Sequence, residues 1–161
     1  MADLLERKSV KKVKDFLASF DSSIELVVLE ETARTAKDAA QSLNQNVGSI
    51  VKSLLFKDSE NNYHLCLVSG DKFASVEKIS KIVGLEIEKA NADECKNITG
   101  YSIGGVAPIA LDTSPKNILI DTNLSKYEKV FAAAGHPYVV FGISYNVLCD
   151  LTKGIEYSIT E

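Results

Sequence analysis

A lysine interrupts an otherwise apolar run. Ser49 to Lys57 reads SIVKSLLFK, and Lys52 is its central cation. Side chains of a strand alternate between faces, so Lys52 would share a face with Ile50 and Leu54. A buried, unpaired ammonium is costly and tends to lose its proton. The residues alone leave three explanations open: the side chain reaches solvent, it pairs with a carboxylate, or it lines a pocket for an anionic or carbonyl ligand.

A glycine-rich loop is the second candidate for chemistry. Thr99 to Leu111 reads TGYSIGGVAPIAL, with glycines at 104 and 105 and a proline at 108. Glycine lets the backbone approach a ligand closely, and such a loop can direct N–H groups at a carbonyl oxygen or a phosphate. The spacing matches neither a Walker A loop nor GxGxxG. A bulge or a tight bend at a barrel corner would also explain the glycines.

Histidines and cysteines are few. His136 follows a glycine and precedes a proline in AAAGHPYVVF, where it could act as an acid, a base or a hydrogen-bond donor. A lone histidine in a turn is more often a surface residue, and spacing alone assigns no catalytic triad. Neither histidine lies in an HxxxH or HExxH pattern, and the three cysteines include no CxxC pair. We therefore predict no metal site and no cofactor.

The composition is that of an ordinary globular domain. The chain has 161 residues, 45% of them hydrophobic and 25% charged, with a net charge of −4. No internal linker divides it, so we expect one domain over residues 1–161. No apolar run is long enough to cross a bilayer and no secretory signal is evident, so the expected location is cytoplasmic. The negative charge argues against sequence-blind coating of nucleic acid. The basic residues between positions 7 and 14 are interpreted as a solvated helix face.

Strands and helices alternate irregularly, which favours a mixed α+β fold over a doubly wound parallel sheet. Helices are predicted after a cap at Ser9, after a capping box opened by Thr35, from Ser75 to a terminator at Gly84, and after a cap at Ser144. Strands are predicted for IELVVLE, SIVKSLLF, YHLCLVSG, LEIEK, NILIDT and YVVFGI. ADECKNI is predicted as a helical turn, and KVFAAAG is ambiguous between helix and strand.

Three segments in order resemble the YbaK/ProX family, relatives of the editing insertion domain of bacterial prolyl-tRNA synthetases. They read TARTAKDAAQSLNQNVGSIVKSLLF, TGYSIGGVAPIAL and VFAAAGHPYVVFGISYNVLCDLT. The similarity runs from about Thr32 to about Thr152. It implies a mixed, barrel-like central sheet flanked by helices. It also implies hydrolysis of the ester that joins a wrong, small amino acid to the 3′ end of a tRNA.

The resemblance also implies site residues. The pocket lysine of the family corresponds to Lys52, and the next position, Ser53, carries a catalytic or selective side chain in some relatives. Thr35 falls at the mouth of the family's pocket. The catalytic set implied is Lys52, Gly104, Gly105 and His136, and the substrate-binding set is Thr35, Ser53, Val106, Ala107, Pro108 and Gly135.

Departures from the family pattern leave the amino acid open. Ala107 and Ala110 stand where many relatives carry proline, serine or glycine. The expected partner is a mischarged tRNA at its acceptor end, with an aminoacyl-tRNA synthetase as a second potential partner and no membrane. Two other hypotheses compete with the enzyme. The chain could bind aminoacyl-tRNA or a synthetase without turnover, or it could be a structural protein with buried glycine corners.

Overall fold

The computed structural model describes residues 3–30 and 35–161, which form five α-helices and eight β-strands. The helices are α1 (Lys8–Phe20), α2 (Ala36–Leu43), α3 (Val76–Val83), α4 (Ala92–Thr99) and α5 (Tyr145–Thr152). The strands are β1 (Leu26–Val28), β2 (Ile50–Asp58), β3 (Tyr63–Ser69), β4 (Ile87–Lys89), β5 (Asn117–Asp121), β6 (Val130–His136), β7 (Val139–Ile143) and β8 (Ile155–Tyr157).

All eight strands belong to one mixed sheet. Seven of them follow the order β1-β7-β6-β2-β3-β5-β8, and β4 pairs with β2 outside this path. The β2–β3 and β6–β7 pairs are antiparallel, whereas β2–β6 and β3–β5 are parallel. The predicted α+β class with a mixed central sheet is therefore confirmed.

One edge of β2 is shared by two strands that do not meet. Strand β6 pairs with Ile50 and Val51, and β4 pairs with β2 only from Phe56 onward. The carbonyl of Leu55 accepts a hydrogen bond from the Ala90 N–H at 2.9 Å on this edge. Backbone polar groups of a strand point to alternate sides, so Ser53, two residues earlier, turns its N–H and C=O toward the same edge. No strand of the described residues pairs with β2 there, and the edge is open between β6 and β4.

Several local predictions are confirmed. Thr35 caps α2 by accepting the Asp38 N–H at 3.1 Å, and Ser144 caps α5 by accepting the Val147 N–H. Gly84 ends α3 with a φ of +84°. In such a left-handed position a residue with a Cβ is strained, which is why glycine is common there.

One cap prediction is wrong. Helix α1 begins at Lys8, and its cap position, Arg7, makes no side-chain capping bond. The Ser9 hydroxyl instead donates to the carbonyl of Gly135 at 2.9 Å, which ties α1 to β6. The tertiary contact replaces the local one because the apolar face of α1 docks on this strand.

The structure resolves the secondary structure of two segments that the sequence left uncertain. The ambiguous KVFAAAG becomes strand β6, because β2 and β7 pair with it on either side. ADECKNI is a full helix rather than a single turn, since Asn91 and Glu94 form a reciprocal capping box. Of IELVVLE, only Leu26–Val28 pairs as a strand.

The sheet separates a large core from two smaller ones. On one side the fully buried face of α1 packs with β2, β3, β6 and β7 residues. On the other side α2 covers one apolar cluster and α3 covers another. Lys52 falls between Ile50, which belongs to the α2 cluster, and Leu54, which packs on the α3 cluster. Within the described residues, no helix is long and apolar enough to cross a membrane.

Candidate active site

A cavity of about 270 Å³ lies along the open edge of β2. Residues 50–55 of β2 form its floor, and the neighbouring strands contribute residues on either side. The first turn of α2 forms one wall, and part of the glycine-rich loop forms another. The lining side chains are mostly apolar; the polar ones are Thr35, Lys52, Ser53, Lys89 and Cys95.

Lys52 is half-buried and lines this cavity. Its ammonium donates to the carbonyl of Lys72 and lies 5.3 Å from the centre of the Phe73 ring. Among the described residues no carboxylate lies within ion-pair distance of it. Burial lowers the pKa of Lys52; Asp71 opposes this shift, and the nearby Lys89 lowers the pKa further. Within the part of the chain that the structure describes, the lysine is therefore a cation without a salt bridge, and it lies beside an apolar pocket.

The turn that receives the Lys52 ammonium is held by buried polar contacts. Asp121 is fully buried and accepts the Ser69 N–H at 2.9 Å. The Ser69 hydroxyl contacts both the Gly48 carbonyl and, at 3.0 Å, the Asp71 carboxylate. These bonds fix the start of the turn. They therefore also fix the Lys72 carbonyl, which accepts the hydrogen bond from the Lys52 ammonium.

The glycine-rich loop turns only part of its length toward the cavity. Ile103, Gly104 and Val106 line it, whereas Gly105 does not. The N–H of Gly105 donates to the Ser102 carbonyl at 3.0 Å, so this group is not available to a ligand. Within residues 3–30 and 35–161, the N–H groups of Gly104 and Val106 have no acceptor. These two groups remain as potential donors to a ligand.

The remaining loop residues have packing roles. Ala107 is fully buried in the core, and Pro108 lines a different cavity, next to Phe16 and Leu151. Tyr101 is fully buried and its hydroxyl reaches the carbonyls of Ile109 and Ala110 at 2.8 and 2.9 Å. The Tyr101 side chain, near the beginning of the loop, thus holds the end of the loop at Ile109 and Ala110.

His136 is half-buried and is not among the residues that line the cavity. Its Nδ1 accepts the N–H of Tyr138 at 3.1 Å. Burial, together with the charge of Arg7, lowers the pKa of His136, so the ring is neutral at pH 7. The next residue, Pro137, does line the cavity. The histidine turn therefore supports the wall beside Gly104 and Gly105.

Gly135 is explained by helix docking. Its φ is +90°, and a Cβ there would lie 2.4 Å from the backbone oxygen of Ser9. A side chain at this position would push α1 away from β6. The structure thus gives Gly135 a packing role, and it is absent from the cavity lining.

Ser53 carries an unusual hydroxyl. The residue lines the cavity floor, and its Oγ is buried without a hydrogen-bond partner among the described residues. A buried hydroxyl without a partner loses its interaction with water and gains nothing in return. Such groups are few in native proteins, and a bound water, an ion or a catalytic role explains those that occur.

Several cavity residues were missed by sequence reasoning, among them Lys89, Phe131 and Pro137. Lys89 is the most relevant of them, because it brings a second cation close enough to Lys52 to lower its pKa. The alternation of LEIEK predicts that Lys89 and Glu88 face opposite sides, but nothing local predicts that β4 pairs with the far half of β2. A pairing between distant segments was needed to find it.

The fold and the pocket define a class of protein, an α+β domain whose mixed sheet carries a lysine-bearing cleft on an open strand edge. The model of the aminoacyl-tRNA editing domain family matches residues 30–151. The chain belongs to this family. The predicted relationship to the editing region of prolyl-tRNA synthetases is therefore confirmed.

Individual relatives agree with this assignment. The protein YwhH of Bacillus subtilis (strain 168) is 26% identical over 127 residues, which cover 79% of this chain and 80% of YwhH. The proline–tRNA ligase of Lactobacillus acidophilus is 32% identical over 105 residues, which cover 65% of this chain. The match spans only 18% of that ligase.

Solved structures show the same fold. A crystal structure described as a candidate trans-editing enzyme for prolyl tRNA synthetase superposes with a TM-score of 0.91 at 33% identity. The superposition covers 96% of this chain and 98% of that one. A second, described as the hypothetical protein APE2540, superposes with a TM-score of 0.84 at 26% identity, covering 93% of this chain and 99% of that one.

Proposed function

We propose that this protein hydrolyses the ester between a wrongly attached small amino acid and the 3′ end of a tRNA. The observation that carries the proposal is the position of Lys52. This cation has no salt bridge among the described residues, and it lines a small apolar cavity together with the glycine-rich loop. A mostly apolar cavity of about 270 Å³ has room for a small aminoacyl group.

The ester is already activated, so positioning and stabilisation of the oxyanion matter more than a strong nucleophile. In the proposed reaction, water adds to the ester carbonyl carbon and the bond to the ribose oxygen breaks. The ribose oxygen takes up a proton, and the products are a free amino acid and a tRNA with a free 3′ end. The N–H groups of Gly104 and Val106 are the proposed donors to the carbonyl oxygen.

The two lysines are proposed to receive the nucleotide end of the substrate. Lys52 lies at the cavity and Lys89 is exposed beside it. Together they attract a phosphate or the carbonyl side of the ester by charge. Thr35, at the start of α2, borders the same cavity and is proposed to contact the substrate at the mouth.

His136 is proposed to act by positioning. Since its Nδ1 is occupied by a backbone N–H and its ring is off the cavity wall, it holds the Pro137 turn rather than the reacting atoms. Gly135, Gly105, Ala107 and Pro108 belong to the same supporting structure. The direct contacts are proposed for Lys52, Ser53, Gly104 and Val106.

The test is a deacylation panel with alanyl-, cysteinyl-, seryl- and threonyl-tRNA. We expect the wild-type protein to hydrolyse at least one of them, and Lys52→Ala to lower that rate about 100-fold or more. Lys81→Ala is the matched control, because Lys81 is an exposed lysine on α3 that pairs only with Glu77 among the described residues. Hydrolysis at the wild-type rate by Lys52→Ala would refute the assignment of Lys52.

The panel also tests the alternative of a binding module. If the wild-type protein binds these tRNAs but hydrolyses none of them, the catalytic proposal fails and a binding role replaces it. Adding prolyl-tRNA synthetase to a parallel set of reactions tests the second proposed partner. A rate that rises with the synthetase would support that partnership, and an unchanged rate would argue against it.

A further inference from the structure

Phe73 exposes most of its ring on the turn between β3 and α3. It is 73% exposed, the highest value among the large hydrophobic residues of the described chain. Single exposed apolar side chains are common on protein surfaces, so exposure alone indicates nothing. Its backbone contacts and its position relative to the cavity distinguish this residue.

The backbone under the ring is fixed at several points. The Phe73 carbonyl accepts the N–H of Glu161 at 3.0 Å, and the next residue, Ala74, forms a β-bridge with Thr160. The N–H of Lys72 donates to the Ser69 carbonyl at 3.0 Å. The exposed ring therefore projects from an ordered turn, so little conformational entropy is lost when a ligand stacks on it.

The turn also contacts residues that line the cavity. Gly70 packs against α2, where a Cβ at Gly70 would be 3.2 Å from the Cβ of Ala36, a cavity residue. The Phe73 ring centre lies 5.3 Å from the Lys52 ammonium. The cation of a cavity-lining lysine thus lies over one face of an exposed aromatic ring.

We propose that Phe73 is the stacking platform for the terminal base of the tRNA 3′ end. This inference rests on the proposed function. When the aminoacyl group occupies the cavity, the ribose and its base must lie outside, because about 270 Å³ cannot hold them as well. A base presents a flat π-face that stacks on an aromatic ring, and its phosphate is attracted to a neighbouring lysine. A purely aliphatic contact would not need an aromatic ring.

The first test uses a short RNA without an amino acid, with 2-aminopurine in place of its 3′-terminal adenine. Stacking quenches the fluorescence of 2-aminopurine. We expect quenching by the wild-type protein and by Phe73→Tyr, and none by Phe73→Ala or Phe73→Leu. Phe20→Ala is the control, since Phe20 is an exposed phenylalanine that does not line the cavity. Equal quenching by wild type and Phe73→Leu would overturn the proposal, because an aliphatic contact would then suffice.

The second test is kinetic. With the best substrate of the deacylation panel, Phe73→Ala should raise KM about 10-fold and leave kcat within about 2-fold, because stacking supplies binding rather than chemistry. An unchanged KM would overturn the proposal. Unfolding midpoints of the variants should match the wild type, since the ring is exposed.

The two proposals can fail separately. If the wild-type protein hydrolyses no mischarged tRNA, the proposed function falls, and the quenching experiment still decides whether Phe73 stacks on a base. If hydrolysis depends on Lys52 but neither quenching nor KM depends on Phe73, only the stacking proposal is overturned.

Discussion

Gly105 packs directly on the backbone of His136: a Cβ at Gly105 would lie 2.9 Å from the His136 Cα and 3.1 Å from the Pro137 Cδ. This contact joins two of the three segments that carry the family resemblance. It explains why a glycine precedes Val106 even though Gly105 itself does not line the cavity. The two loops form one wall, and the position of each depends on the other.

Gly105→Ala should lower both deacylation and stability. The added methyl group meets backbone atoms that cannot rotate away, so the loop must shift, and a displacement near 1 Å at a reacting centre can cost on the order of 100-fold in rate. The measurement is kcat/KM together with the urea midpoint. The assignment of this wall would be contradicted by an active variant with a normal midpoint.

Gly135→Ala should destabilise the protein more than Gly84→Ala. Both glycines have φ near +90°, so both substitutions carry a similar backbone strain of about 1 kcal/mol. Only Gly135 faces a close neighbour, the Ser9 carbonyl, whereas nothing lies within 4 Å of a Cβ at Gly84. Urea unfolding of the two variants measures the difference. Equal losses would show that α1 does not press on β6 as described.

Ser53→Ala should leave stability unchanged or raise it, by up to about 1–3 kcal/mol. The substitution removes a buried hydroxyl that has no partner in the described chain. If the hydroxyl contacts the substrate, deacylation falls in the same variant. A variant that is less stable than the wild type would mean that the hydroxyl is satisfied in the free protein.

Lys89→Ala should weaken tRNA binding and reduce its dependence on salt. Each phosphate contact to a single strand adds about 0.7 to the slope of log K against log salt concentration. We therefore expect the slope to fall by roughly that amount, while Lys81→Ala leaves it unchanged. Binding isotherms at three salt concentrations provide the measurement. An unaltered slope would place the phosphate elsewhere.

Acid should destabilise the β2–β3 hairpin below pH 4. Burial raises the pKa of Asp58, but hydrogen bonds from His64 and from the N–H groups of Asn62 and Glu60 outweigh it and lower the pKa to about 2. A carboxylate with a lowered pKa stabilises the fold above its unfolded pKa, near 4, and this stabilisation is lost as the pH falls toward 2. Unfolding midpoints between pH 5 and pH 2 should therefore drop.

Asp58→Asn should flatten only part of this acid dependence. Glu94 titrates in the same range, because the Tyr63 hydroxyl, the Asn91 N–H and Lys57 lower its pKa to about 2. The variant should also be less stable at pH 7, since the fully buried His64, 2.8 Å from Asp58, loses its anionic partner. A wild-type profile in the variant would exclude Asp58 as a source of acid lability.

The sequence predicted those parts of the site that depend on local patterns. Alternation in SIVKSLLF gave the strand that carries Lys52, and TAKD gave the helix start at Thr35. Glycine at positions 104 and 105 predicted a loop with close approach, although local chemistry could not say which N–H groups stay free. The Gly105 N–H is committed to Ser102, a bond that depends on the folded loop.

What the sequence could not predict depends on pairing between distant segments. The open edge of β2 exists because the pairing of β2 with β6 ends at Val51 and its pairing with β4 begins at Phe56. Nothing within the sequence of β2 predicts either limit. Lys89 lines the cavity for the same reason. Ser9 illustrates the opposite case, since a residue with good capping chemistry is diverted to Gly135 by tertiary packing.

Because the edge of β2 is open, the strand that carries Lys52 is distinct from the elements that form the walls of the cavity. The floor belongs to a strand that is paired along its other edge with β3. One wall comes from α2, which precedes β2 in the chain, and the other comes from the distant glycine-rich loop. Substitutions in either wall can reshape the space for the acyl group and leave the pairing of β2 intact. Under the proposed function, such substitutions would change which amino acid the cavity accepts and leave Lys52 in place.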